Sequence, residues 1–372
     1  MWHRLCRFAK REAVFCVSLL AAVVSMFFVP PSGEYFSYIN WNVLALLWCL
    51  MAVVAGFRRC GVFERLTAAL LGKFGGNGHL LAVILVLLPF FTAMVVTNDV
   101  ALLTFVPFTL GLLSTAGCLE KAAPLLVLQT AAANLGCVAT PVGDPHNLYL
   151  FDYYAMTPGE FFPVVLPLAG LGLLCVSAAA FPVLPKAMPE FRFHHAGKIE
   201  KRRFFPLLAL FVLCLCTVLR LLPWWILLPI VFAGVLILDK RLLAEPDYIL
   251  LLTFLCFFVF SGNLGRIAPV RELLRGLMEK NALLTSILAS QVISNVPASV
   301  LLAPFTSQGM ALLVGTDIGA FGTPIASLAS LITLKFYLHS EGRKPGKYIA
   351  IFLAVNIAVL LITTPVASLL LR

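Results

Sequence analysis

Two short runs carry the polar residues best placed for ion chemistry. Thr97-Asn98-Asp99 and Ser294-Asn295-Val296 each set a hydroxyl beside a carboxamide inside an otherwise apolar stretch. Where a backbone turns within hydrocarbon, such side chains supply the donors and acceptors that its unpaired groups need, and they can also face an ion. The same residue types cap helices anywhere. Capping alone, however, does not require the same pair twice. A second pair of runs, Asn134 to Gly143 (NLGCVATPVG) and Asp317 to Ala326 (DIGAFGTPIA), each has three residues between a Gly and Thr-Pro. Gly admits close backbone approach, and Pro removes a donor and breaks a helix. Each run therefore reads as an interruption in a span, with a kinked structural helix as the plainer alternative.

These runs form an internal repeat. TNDVALLTFVPFT and SNVPASVLLAPFT both read [ST]-N, eight residues, P-F-T, and the second pair reads [ND]-[LI]-G, three residues, T-P-[VI]-[GA]. Matched motifs in the same order in both halves mark a duplicated transporter-like architecture. A helix broken at mid-membrane offers one N-terminus suited to an anion and one C-terminus suited to a cation. The ionisable residues expected near that depth are Asp99, Asp144 and Asp317, and an acid there defaults to a function such as binding sodium or relaying a proton. For Asp144 and Asp317 a helix N-cap near the interface is an equal alternative. His146 reads first as a hydrogen-bonded structural histidine and second as a pH-responsive group. No Lys or Arg falls in a tip or break, so an anion would be held by helix N-termini, hydroxyls, amides and a co-bound cation.

The elements that must position these residues follow from composition. The chain has 372 residues, 61% hydrophobic and 12% charged, with mean hydropathy +1.00, which excludes an ordinary soluble domain. Apolar stretches at 13–29, 43–55, 163–184 and 348–364 are candidate spans. The basic N-terminus resembles a signal peptide, but its long apolar run without a clear cleavage site reads as a retained first span, with the chain starting at Met1. With the N-terminus cytoplasmic, only Arg220, Arg266, Arg271, Arg275, Lys280 and Arg372 of the 27 Lys and Arg residues fall outside, in accord with the positive-inside rule. The net charge of +10 belongs to those loops and not to a nucleic-acid partner. The ten cysteines imply no disulfide framework. His194 and His195, in the polar loop, read as solvated and not as metal ligands.

The predicted architecture is an all-α polytopic membrane protein of about ten transmembrane helices in two inverted repeats. The N-terminal repeat covers 1–184, with a hairpin at 80–113 entering from the cytoplasm and a broken helix at 121–150. A cytoplasmic linker covers 185–203. The C-terminal repeat covers 204–372, with a hairpin at 283–305 entering from outside and a broken helix at 309–335. Amphipathic stretches at 62–74 and 269–280 precede the hairpins and belong at the interface. The predicted location is a cell membrane, the bacterial inner membrane, with the C-terminus outside.

At TND, SNVPA, ATPVGDPHN and GAFGTPIASLASLI the chain resembles the ion transporter superfamily, which groups divalent-anion/sodium symporters, citrate transporters, arsenical-pump membrane proteins and certain sodium/proton antiporters. The resemblance covers nearly the whole chain. In the dicarboxylate branch, substrate and sodium bind between two Ser-Asn-Thr tips and two helix breaks. Position by position it implies Thr97, Asn98 and Asp99 in one tip, and Ser294, Asn295 and Val296 in the other. Thr140, Pro141, Gly143 and Asn147 belong to the first break, and Gly322, Thr323 and Pro324 to the second, with Asp317 beside it. Sodium would lie near Asn98, Asp99 and Asn295. Asp99 and Val296 depart from the third-position Thr, and Asp144 stands where an uncharged residue is common. A homodimer and an elevator-type motion are further implications.

The expected function is secondary active transport of small anions, dicarboxylate, citrate or an inorganic oxyanion, with sodium or proton coupling and no other cofactor. Arsenite or antimonite efflux and sodium/proton exchange are the near alternatives, and a separate ATPase would be a partner only in the arsenical-pump case. The sequence has no phosphate-binding loop of its own and no H-E-x-x-H helix, so an intramembrane enzyme is remote.

Overall fold

The computed structural model describes residues 12–62, 65, 76–187 and 200–372. The basic N-terminus, most of the 62–74 stretch and most of the 185–203 linker, with His194 and His195, lie outside the described residues. Among those described there is no strand beyond one isolated bridge, Asn77 with Ala187. Helices α1 (Ala13–Phe28), α2 (Tyr35–Tyr38) and α3 (Trp41–Arg59) come first. A hairpin follows, α4 (Gly78–Ala93) and α5 (Asn98–Thr115), then the pair α6 (Ala122–Val138) and α7 (Pro145–Tyr153), then α8 (Pro158–Ala180). The second half has three helices before its hairpin: α9 (Lys201–Val218), α10 (Trp224–Asp239) and α11 (Tyr248–Arg266). Next come α12 (Ala268–Ile293), α13 (Asn295–Leu302), α14 (Gly309–Gly319), α15 (Leu328–His339) and α16 (Pro345–Leu370).

Five of these helices, α3, α5, α8, α11 and α16, are long and apolar enough to cross a bilayer. The chain is a multi-pass membrane protein, and its outer helices turn bulky apolar side chains such as Leu174, Ile237 and Leu361 outward, as lipid contact requires. α6 is buried along nearly all its length, with α4, α5, α8, α15 and α16 packed on it. That central position depends on Gly136, where a Cβ would come within 2.1 Å of the Phe90 carbonyl oxygen of α4. The second half repeats the device at Gly319 of α14, whose added Cβ would meet the Ser290 side chain of α12 at 2.6 Å. Asn281, with φ −163 and ψ 94, interrupts α12, so the 269–280 stretch and the first arm of the second hairpin are separate helical pieces.

Polar contacts tie the helix ends into two groups at opposite ends of the bundle. At one end Arg58 pairs with Glu245 at 2.7 Å, Arg59 with Asp239 at 3.1 Å, and Gly78 donates to the Lys186 carbonyl at 3.0 Å. At the other, Arg266 pairs with Glu34 at 2.6 Å, and Arg220 donates to the Phe151 carbonyl at 2.9 Å. The Tyr154 hydroxyl donates to the Ala303 and Thr306 carbonyls there. Because α8 runs from the second end to the first, the open end of the α4–α5 hairpin and that of the α12–α13 hairpin lie at opposite ends.

Candidate functional site

The turn of the first hairpin is fastened to the break between α6 and α7. Asn98, the first residue of α5, donates from Nδ2 to Asn134 Oδ1 and to Asp144 Oδ2, both at 3.1 Å. Its Oδ1 accepts the Asp99 N–H at 2.9 Å. Thr140 Oγ1 donates to the Met94 carbonyl at 2.6 Å, which satisfies an acceptor left open where α4 stops. Pro141 and Gly143 form the buried turn of the break, where a Cβ on Gly143 would meet the Cys137 carbonyl oxygen at 2.5 Å. Asp144 caps α7 by accepting the His146 N–H. Asn147 donates to the Cys137 carbonyl at 3.2 Å.

The second hairpin meets its break differently. Ser294, at φ +73, makes the turn, and the Asn295 N–H and Ser294 Oγ both reach the Ala326 carbonyl, at 3.0 and 3.2 Å. Gln291 does most of the joining: Nε2 donates to the Gly319 and Phe321 carbonyls at 2.8 and 2.9 Å, and Oε1 accepts the Thr323 N–H at 2.9 Å. Thr323 Oγ1 returns a bond to the Gln291 carbonyl at 3.1 Å. Gly322 sits at φ +117, a conformation that explains Gly there, and Pro324 follows within the break. Val296 is buried in the first turn of α13. Asp317 lies inside the last turn of α14, so for this residue the N-cap alternative fails.

The halves meet at these breaks. Ser327 Oγ donates to Asn134 Oδ1 at 3.3 Å, and Thr130 Oγ1 to Thr333 Oγ1 at 2.8 Å. His146 stands between two acids, its Nδ1 2.6 Å from Asp144 Oδ1 and its Nε2 3.2 Å from Asp317 Oδ1, and all three residues are buried. Neither Asp317 oxygen accepts an aligned hydrogen bond. Asp99 Oδ1 is likewise buried without a partner. A cavity of about 240 Å³ has Thr97, Asp99 and Asp144 in its lining together with Arg58, Glu245 and Asp247. Among the described residues no Lys or Arg pairs with Asp99, Asp144 or Asp317.

The structure thus brings Asn98, Thr140, Asp144, His146, Asn147 and Asp317 to one junction, with Thr97 and Asp99 on the cavity wall, and adds Asn134, Gln291 and Ser327. The repeat register carried a signal for two of the additions: Asn134 occupies the motif position of Asp317, and Ser327 that of Asp144. Gln291 precedes its motif and gave no such signal.

Buried polar side chains meeting at interrupted helices within an apolar bundle define a membrane transporter. The chain belongs to the citrate transporter family, whose model matches residues 8–334. It is 30% identical over 322 residues to an uncharacterized transporter of Methanocaldococcus jannaschii, covering 86% of each chain. It is 29% identical to the inner membrane protein YbiR of Escherichia coli over 334 residues, covering 88% of this chain and 89% of that one. A silicon efflux transporter of rice, Oryza sativa subsp. japonica, is 29% identical over 159 residues, 42% of this chain and 32% of the rice protein.

Proposed function

We propose that the chain is a secondary active transporter of small oxygen-rich anions, such as a dicarboxylate, citrate or an inorganic oxyanion, and that a co-transported cation neutralises the acids around the site. The observation that carries this reading is the meeting of helix N-termini. α5, α13 and α15 begin at Asn98, Asn295 and Leu328 with no side-chain cap, and Asn98 and Ser327 share Asn134 while Asn295 bonds the neighbouring Ala326. Apart from the Asp99 and Asn295 N–H groups, which already have partners, the first-turn N–H groups and the positive ends of the helix dipoles suit an anion without any guanidinium. The three acids beside them disfavour an anion alone, and sodium or a proton would offset them.

Between the two hairpins the chain crosses with α6–α7, α8, α9, α10 and α11, an odd number of passages, so hairpins that do not cross would enter from opposite sides. That parity, with the polar ties at opposite ends, supports two inverted halves and an elevator-type movement of hairpins and breaks against α1, α3, α9, α10 and α11. The clustering of Arg58, Arg59, Lys186, Arg203, Lys240 and Arg241 toward one end supports a cytoplasmic N-terminus and an outside C-terminus. The name of the E. coli relative supports an inner-membrane location. A homodimer is carried over from the superfamily resemblance.

A second reading, efflux of a neutral weak acid such as arsenous or silicic acid in exchange for a cation, is favoured by the acidic site and by the likeness to the rice silicon efflux transporter. Thermal unfolding of purified protein with citrate, succinate, sulfate, phosphate, arsenite and silicic acid, each with and without sodium, tests both. Stabilisation by a charged anion only with a cation present supports the first reading. Stabilisation by arsenite or silicic acid alone replaces it with the second.

A further inference from the structure

The face of α3 that lines the cavity ends in a cation. Leu47, Leu50, Met51, Val54, Ala55 and Arg58 recur at the three- and four-residue spacing of one helical stripe, and all six stand in the cavity wall with Thr97 and Asp99. Arg59 lies about 100° further round the helix. It leaves the stripe and pairs with Asp239 of α10 at 3.1 Å. We infer that Arg58 selects for anions in this cavity, releasing Glu245 to take an oxygen of the solute; this rests on the anion-transport reading above and names a recognition residue for it.

The argument is one of redundant pairing. Glu245 is held by two guanidinium groups, at Oε2 by Arg58 at 2.7 Å and at Oε1 by Arg59. When Arg58 turns to a solute, Glu245 keeps Arg59, so no carboxylate is left unpaired. One charge-assisted contact is exchanged for another. A guanidinium that only tied α3 to the turn before α11 would duplicate Arg59. The side chain of Arg58 is 41% exposed, which leaves it room to change partner.

The rest of the wall shows why a solute anion needs that partner. Asp99, Asp144, Glu245 and Asp247 share the lining, and Arg58 is its only Lys or Arg among the described residues. The charge of Asp247 is offset in part where it caps α11, accepting the Leu250 N–H at 2.9 Å. Asp99 and Asp144 have no such cation beside them. Arg58 therefore acts in the cavity, in addition to the N–H groups at the tips. A planar guanidinium matches the oxygens of a carboxylate, a sulfate or a phosphate alike, so the ligand class is an oxyanion and not one particular acid.

The test is calorimetric binding to the full-length protein in detergent at fixed sodium, using whichever of citrate, succinate, sulfate and phosphate the wild type binds most tightly. Arg58→Gln should raise Kd at least about fivefold, and Arg58→Lys should restore most of that loss. Glu245→Gln frees Arg58 and should lower Kd about twofold or more. The opposite signs separate recognition from bracing, because an ion pair that merely held α3 in place would weaken binding when broken from either side. Equal losses in Arg58→Gln and Glu245→Gln, or a Kd indifferent to Arg58→Gln, overturn the inference and leave anion transport standing. If Arg58→Gln does not fold, Glu245→Gln carries the test, since a raised Kd there overturns the inference. Failure of all four anions to bind the wild type overturns the anion reading itself, and the role of Arg58 with it.

Discussion

The two helix breaks share a backbone plan and differ in charge. In the first, Asn134 opens the motif and Asp144 ends the break; in the second, Asp317 opens it and Ser327 ends it. Each opening residue reaches the ending residue of the other half. Asn134 and Ser327 do so by a direct neutral hydrogen bond, whereas two acids could not approach without a donor, and His146 stands between them. The corresponding position of the second break is Ala329. Matching positions of the two motifs thus carry one direct neutral pair and one pair of acids bridged by an imidazole.

The largest expected effect of breaking this comparison comes from the tips. Asn98→Ala and Asn295→Ala should each abolish flux in proteoliposomes, and wild-type flux in both would remove the tips from the site. Their stability should differ. Asn98→Ala strips donors from buried Asn134 and Asp144, a loss of about 1–3 kcal/mol, whereas the Asn295 side chain accepts only from the neighbouring Ser294. Melting in detergent should therefore drop for the first variant and hold for the second.

Next in size are the glycines that admit the hairpin arms. Gly136→Ala would drive a methyl against a backbone carbonyl at 2.1 Å, whereas Gly319→Ala meets a side chain, Ser290. The first should cost about 2–3 kcal/mol and resist rescue. The second should be milder and largely restored by Ser290→Gly. Equal losses with no rescue would mean that the two arms are packed alike.

How much of this was legible before the structure depends on the kind of pattern. Hydropathy fixes helices in a membrane because every backbone group there must be paired within its own segment, and the motif spacing located the turns near Asn98 and Ser294 and the breaks at both Thr-Pro pairs. The helical pieces themselves end elsewhere: α7 continues to Tyr153 and α15 to His339, beyond the expected 150 and 335. What a linear pattern does not carry is contact across halves. Asp144 is a cap by local signature, and only the three-dimensional approach of α14 makes it the near end of an acid–imidazole–acid chain. Gln291 was missed because an amide on an apolar arm resembles ordinary helix packing, although it closes three backbone groups of the second break.

The smallest effect tests the neutral side of the comparison. Thr130 and Thr333 join α6 to α15 by a buried hydroxyl pair, and each hydroxyl also returns to a carbonyl of its own helix, Leu126 for Thr130 and Ala329 for Thr333. Leu126 and Ala329 are carbonyls within their helices' own backbone ladders, so losing the hydroxyls leaves no backbone group unpaired, and the coupling between Thr130→Val and Thr333→Val should be only about 0.6 kcal/mol, the usual scale for an interhelical bond in a membrane. The readout is a double-mutant cycle on melting. A coupling several times larger would show that the neutral contacts hold the halves together.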